Sequence, residues 1–363
     1  AHYLGDLDRS RRRVLAGAGA LMLAALLGGA VGLRALGGDL GGLIRETTRL
    51  RGFDFAPSSR RRALFRDVQA AADSLEQAKT ALRSLGKYVP LDLVRQLYEA
   101  RLEPMLGGTL RDVTLLFSDI EGFTSLSEQL SPNVLAVALG AYLEAMTAAI
   151  HSTGGIIDKY TGDGVMALWN APRPCAGHAT RACQAALACR DATHALFATA
   201  QWAGLAAWRT RYGIHRAEVS VGHFGSPDRM SYTAMGDGVN LASRLESLNK
   251  QYGTQILVSA TVEREARDSF HFRRVDRVAV KGKSASIEIF ELVGRHEACV
   301  PPFIERYEKA LDAYFDRRFD LALELLGDSS ADGPSRVLAE RCRQFRERPP
   351  PADWDGVYVA TAK

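Results

Sequence analysis

Apolar and polar positions change their period several times along this chain, and the changes divide it. Val14 to Leu33 is a run of 20 residues without a charge, bracketed by Arg13 and Arg34. As a helix it is roughly 30 Å long, the thickness of a bilayer's hydrocarbon. It predicts a transmembrane helix over 14–33 behind a basic segment, 1–13. A signal peptide and a Gly/Ala-rich core helix are the competing readings. About four Arg flank the run on each side, so charge does not orient it. Beyond it, Leu36, Leu40, Leu43, Thr47 and Leu50 step by four and three. After a break over 52–59, Leu64, Val68, Ala71, Leu75, Ala78, Leu82 and Leu85 repeat those steps. Heptads of this kind bury one stripe against a partner helix. The simplest partner is a second copy of the chain.

After a connector, 87–104, strands and helices alternate over 105–298. Asp112 to Ser118 reads as a buried strand. Ser131 and Pro132 read as the cap and first residue of a helix with Leu135, Leu139, Tyr142, Leu143 and Met146 on one face. Gly155–Tyr160 and Gly164–Trp169 form a hairpin turning at Thr161-Gly162-Asp163. A helix over Thr180–Gln201 follows, then strands over Arg209–His215, Glu218–Gly222 and Met230–Ala234. Asp237–Gln251 is helical, and Gln255–Val258, Phe272–Val280 and Ile287–Leu292 complete a sheet. This pattern is α+β. Over 299–363 a helical pair, Phe303–Leu326 and Pro334–Arg346, resembles one TPR repeat and reads as a packing appendage.

Composition narrows the function classes only a little. The 363 residues are 47% hydrophobic and 24% charged, enough for several units with a sizeable core. The net charge of +4 gathers near the N-terminus and does not suggest a nucleic-acid partner. Five cysteines without CxxC spacing read as reduced thiols. The chain opens at Ala1, not Met, and is read as starting within a longer protein.

The chemistry starts from two carboxylates. Asp119 ends an apolar strand before Gly122, and Asp163 sits in the hairpin turn. Two such groups at one sheet edge suit Mg²⁺ or Mn²⁺, although each could simply serve its own turn. Phe117-Ser118-Asp119-Ile120-Glu121-Gly122-Phe123-Thr124 runs straight into a helix whose first N–H groups suit a polyphosphate. No GxxxxGK[ST] occurs, which argues against a P-loop NTPase. Gly236-Asp237-Gly238-Val239-Asn240-Leu241-Ala242-Ser243-Arg244 opens another helix. Asn240 and Arg244 share a face there, suited to a ribose and a phosphoryl group; a surface ion pair of Arg244 with Glu246 is the plainer reading. His215 and His223 read as structural.

Together, these segments over Leu110 to Val293 closely resemble the class III nucleotidyl cyclase catalytic domain, a ferredoxin-like α+β fold. The resemblance implies two divalent metal ions per site (Mg²⁺ or Mn²⁺), held by Asp119, Asp163 and the Ile120 carbonyl. It implies that the turn at Gly122, with the N–H groups of Phe123 and Thr124, meets the β- and γ-phosphates. Asn240 then orients the ribose, Arg244 stabilises the α-phosphoryl group, and Lys281 contacts the triphosphate, with Lys283 as its alternative. Lys159 and Thr233 stand where the family reads the purine. A donor-only ammonium suits adenine N1 and disfavours guanine N1–H, so ATP is the expected substrate and cyclic AMP with pyrophosphate the products. The family's Thr-Gly is replaced by Arg216-Ala217, which bears on the dimer surface.

The resemblance further implies a homodimer with each site built from both chains. The heptads at 34–86, directly after the span, resemble a HAMP signalling module, though its frequent early proline is absent. Expected, then, is a regulated adenylate cyclase of the inner or cell membrane with its catalytic domain in the cytoplasm. The competing functions are a catalytically silent nucleotide-binding relay and a guanylate cyclase.

Overall fold

The computed structural model describes residues 2–58, 62–86, 88–89, 91–101, 103–202, 208–279, 286–296, 302–328, 331–351 and 353–359. The chain forms two units, Ala1–Leu102 and Glu103–Lys363. In the first, α1 (His2–Arg51) runs unbroken through the apolar stretch and the first heptads, Gly37 and Gly38 included. It holds a candidate membrane span within Leu15–Arg51, and none of that apolar window is buried. α2 (Arg66–Leu85) meets α1 through polar groups. The fully buried Lys79 ammonium lies 2.8 Å from Glu46 and 3.5 Å from Glu76, and donates to Ser58. Leu40, Leu64, Leu82 and Leu85 of the heptad stripe stay exposed. A short helix, α3 (Leu91–Ala100), closes this unit.

The second unit begins with β1 (Gly107–Ile120), α4 (Phe123–Gln129), α5 (Pro132–Ser152), β2 (Ile156–Thr161), β3 (Gly164–Trp169) and α6 (His178–Phe197). Next come β4 (Thr210–Ser226), β5 (Arg229–Met235), α7 (Asp237–Tyr252), β6 (Ile256–Ser259), α8 (Ala260–Ala266), β7 (Phe270–Ala279) and β8 (Ser286–Arg295). α9 (Pro302–Phe315), α10 (Phe319–Leu326), α11 (Gly333–Glu347) and β9 (Tyr358–Val359) end it. The strands join one mixed sheet in the order β2-β3-β1-β4-β6-β8-β7-β9, with β5 folded back on β4.

Strand alternation sorts β1 between two faces. Leu116 and Ile120 pack with Tyr142 and Met146 of α5 and Ala182 and Ala186 of α6. Val113, Leu115 and Phe117 point the other way, toward Ala242 of α7, and Asp119 continues that second series at the strand's end. α5 starts as its sequence predicts, with Ser131 accepting from the Val134 N–H and Pro132 in the first turn. α7 lies flat on β4 because Gly213 leaves no side chain between them: a Cβ there would sit 2.1 Å from Glu246 N and 2.3 Å from Ala242 O.

Three expectations change. Arg209–His215 and Glu218–Gly222 are one strand, β4, because Arg216 within it is ion-paired to Asp112 at 2.6 Å and to Glu265. Its side chain is therefore spent within the fold. α8 was not foreseen. The C-terminal pair is three helices, because the chain turns at Arg317 with φ 63°. These helices share an apolar core of Tyr307, Leu311, Tyr314, Phe319 and Leu338. They are also fixed to the sheet: Arg341 of α11 pairs with the buried Asp276 of β7 and lies 3.2 Å from the Tyr252 hydroxyl at the end of α7.

Candidate active site

β1, an interior strand between β3 and β4, carries Asp119 at its end, and the β2–β3 turn brings Asp163 beside it. The Ile120 N–H donates to Asp163 Oδ2 at 3.0 Å, tying the turn to the strand end. Burial pushes the Asp163 carboxyl up from the ordinary range, and the neighbouring Asp119 carboxylate adds to the rise. Two adjacent carboxylates that repel one another fit a hard divalent cation, which takes its remaining oxygens from phosphate and water. Among the described residues no group of three or more His, Cys, Asp or Glu gathers to hold an ion alone. Just beyond, Gly122 adopts φ 70°, a conformation natural to glycine, and starts α4 with no side chain capping its N–H groups. Phe123 is half-buried against Trp208, while Thr124 is exposed.

Arg211 escaped the sequence reading, and Glu246 was paired there with another residue. Arg211 lies directly opposite Asp119 in the β1–β4 ladder. Its Nη2 donates to Asp119 Oδ2 at 2.6 Å, and its Nε lies 3.1 Å from Glu246 Oε1 on α7. Glu246 therefore serves Arg211, not Arg244. Burial pushes its carboxyl up despite that partner, with Asp119 and Asp163 adding to the rise. The alternation of Arg211 with Gly213 placed both on one face of a strand, but its register against β1 is not written in the sequence.

A second cluster forms where β2 meets β5. Lys159 Nζ donates to Thr233 Oγ1 at 3.2 Å, joining residues 74 positions apart. Asp158, also missed, completes it: the Thr233 hydroxyl donates to Asp158 Oδ2, and the Lys159 ammonium lies 3.6 Å from Oδ1. Asn240 and Arg244 stand one turn apart on α7, both exposed. Among the described residues, no hydrogen bond or ion pair joins either to the two clusters. Lys281 and Lys283 lie outside the described residues. His215 is held by Ser259 at 2.8 Å, and the His223 ring stacks edge-on against Tyr232. Both are structural contacts.

Residues 108–294, just over half of the chain, match the adenylate and guanylate cyclase catalytic domain. The chain belongs to the adenylate and guanylate cyclase family. This cyclase chain is 35% identical over 280 residues to adenylate cyclase 1 of Rhizobium meliloti (strain 1021), covering 77% of this chain and 42% of that protein. It is 38% identical over 225 residues to an adenylate cyclase of Anabaena cylindrica, covering 60% of this chain and 44% of that one. It thus spans less than half the length of these curated relatives. A bacterial light-regulated adenylyl cyclase, 24% identical, shares the fold with a TM-score of 0.54, over 64% of this chain and 67% of that chain.

Proposed function

We propose that the protein is an adenylate cyclase that converts ATP to 3′,5′-cyclic AMP and pyrophosphate at sites shared between two copies of the chain. The observation that carries the reading is the pairing of Lys159 with Thr233 in a cyclase domain whose Asp119 and Asp163 adjoin. Lys159 gives a hydrogen to adenine N1 and Thr233 accepts from the 6-amino group. Asn240 orients the ribose. Arg244 meets the charge that develops on the α-phosphoryl oxygens, a contact worth roughly 10²–10³ in rate. The N–H groups after Gly122, with Lys281, hold the β- and γ-phosphates. Asp119, Asp163 and the Ile120 carbonyl hold the two metal ions. When bound, these ions supply an activated 3′-hydroxyl and neutralise the phosphates for in-line displacement.

Residues 14–33 anchor the chain in the cell membrane with the cyclase domain in the cytoplasm. The heptad stripe at 34–86, of which Leu40, Leu64, Leu82 and Leu85 are exposed, joins two copies as a HAMP-like module, and a shift of its helices regulates how the catalytic domains meet. A truncated chain beginning at Leu85 with unchanged activity and regulation would overturn that coupling. The test of the chemistry is product formation from ATP or GTP with Mg²⁺ or Mn²⁺. Cyclic AMP from ATP, lost in Asp119→Ala and shifted toward GTP in Lys159→Glu with Thr233→Cys, is the expected outcome. No cyclic nucleotide from a dimeric sample would leave a nucleotide-binding relay in its place.

A further inference from the structure

Asp158 occupies an irregular point of β2. Ile157 stands opposite Ala167 and Lys159 opposite Met166, so Asp158 is the extra residue of a bulge. A bulge breaks the up-down alternation of a strand and re-aims its side chains. Here two consecutive side chains converge on one hydroxyl. The Asp158 side chain is 1% exposed while that of Lys159 is 45% exposed, and both reach Thr233. The Ala234 N–H also donates to the Asp158 carboxyl. Burial pushes that carboxyl up, and three donors, from Thr233, Lys159 and Ala234, work against the rise.

A threonine hydroxyl has one proton and two lone pairs, and its proton turns to whichever acceptor is nearest. In this geometry the Thr233 hydroxyl donates to the Asp158 carboxylate, so its proton points there. Toward a nucleobase, Thr233 then offers lone pairs and no hydrogen. The adenine 6-amino group donates into such an acceptor. The guanine 6-oxygen is itself an acceptor and meets it lone pair to lone pair. Lys159 disfavours the guanine N1–H but does not complete the distinction alone, since its ammonium can still give a hydrogen to guanine O6.

We infer that Asp158 is a specificity-determining positioning residue, which fixes the polarity of the Thr233 hydroxyl so that the site takes a 6-aminopurine and rejects a 6-oxopurine. The inference rests on Lys159 and Thr233 reading the base, as proposed above. With its side chain 1% exposed, Asp158 acts through Thr233 and not on the ligand directly. Lys159, the exposed member, turns from Thr233 to the ring nitrogen, which uncovers the lone pair that the amino group uses.

The experiment compares kcat/KM for ATP and for GTP in the full chain, in Asp158→Leu, in Thr233→Val and in the double variant. Asp158→Leu frees the Thr233 proton to rotate toward a guanine O6. The ATP-to-GTP ratio should fall about 10–100-fold, the range for one mispaired polar group. In the Thr233→Val background, where no hydroxyl remains, the Asp158 change should leave the ratio where it is. Asp158→Asn, which keeps the side chain's shape and an amide oxygen to accept from Thr233, is the milder second variant and should lower the ratio less. Equal losses for both nucleotides, or the same ratio change without the hydroxyl, would show that Asp158 only supports the fold, and would overturn the inference. If the unaltered chain forms no cyclic nucleotide, the proposed activity fails. The inference is then read from equilibrium binding of ribose-labelled ATP and GTP to the same variants, where an unchanged ratio overturns it.

Discussion

Between Asp119 and Glu246 stands a single guanidinium, and its removal means something different for each carboxylate. Asp119 is 39% exposed in its side chain and can use water; Glu246 is 11% exposed and cannot. Arg211→Leu therefore strands a buried carboxylate, and such a loss typically destabilises by about 3–5 kcal/mol. Replacing both members with Leu removes the stranded charge and should recover most of the loss. Denaturant unfolding of the two variants decides the point: equal stability would mean the pair is solvated. His178 gives a pH signature at the same scale. Buried, and bonded through Nδ1 to Thr114 at 2.7 Å, its imidazole is pushed below its usual value chiefly by burial. The unfolded chain then takes up the proton first as pH falls below about 6.5. The stability contributed by neutral His178 is complete above that pH and is lost below it. The unfolding free energy of the native chain should accordingly lose its lead over His178→Gln on acidification. A pH-independent difference would contradict this.

At the scale of elements, Gly213 decides how closely α7 lies on β4, and α7 carries Asn240 and Arg244. Gly213→Ala places a Cβ against the backbone at Ala242 and Glu246, so the helix must lift. A displacement of about 1 Å in a catalytic group costs on the order of 10²-fold in rate, and kcat should fall by that order. The check is kcat beside a thermal scan of the same sample, and a folded variant of full activity would show that α7 tolerates the shift. The far end of α7 is held by the C-terminal helices through Tyr252, Asp276 and Arg341, contacts no sequence pattern announced. Elements with a strong period were legible: β1, the β2–β3 hairpin, the capped start of α5 and the glycine-led start of α7 all follow from alternation, Gly and Ser-Pro chemistry. What stayed hidden depends on partners distant in sequence. Arg216 looked like a strand break until Asp112 and Glu265 neutralised it. The charged, seven-residue α8 carries too little pattern to stand out. The bulge at Asp158 exists only in the pairing of β2 with β3. Of the candidate site, Asp119, Asp163, Lys159 and Thr233 were readable as candidates, whereas the contacts of Arg211 and Asp158 with them, and of Glu246 with Arg211, were not.

On the scale of the whole molecule, the proposed function asks two clusters and one helix face to cooperate, yet among the described residues no hydrogen bond or ion pair joins Asn240 or Arg244 to either cluster. The Asp119–Asp163 pair lies at the β1 end, Lys159 meets Thr233 across β2 and β5, and Asn240 and Arg244 face outward from α7. In the two-fold dimer proposed above, the carboxylates of one copy would meet Lys159, Thr233 and the α7 residues of the other, and the operation would repeat to give a second site. The arrangement has a quantitative consequence. Asp119→Ala and Arg244→Ala each spoil both sites of their own homodimer. In a mixed dimer the two lesions fall into the same site, and the other site takes Asp119 from one chain and Arg244 from its partner, both intact. With random exchange, half of the dimers are mixed and each keeps one site of two, so about a quarter of native activity returns on mixing. Sites contained within single chains would give no recovery at any ratio. Co-refolding or co-expressing the two inactive variants and measuring cyclic AMP against the mixing ratio separates the cases. The shared-site dimer gives a maximum at equal amounts, because the mixed species alone is active; a flat line at the level of the parents would rule it out.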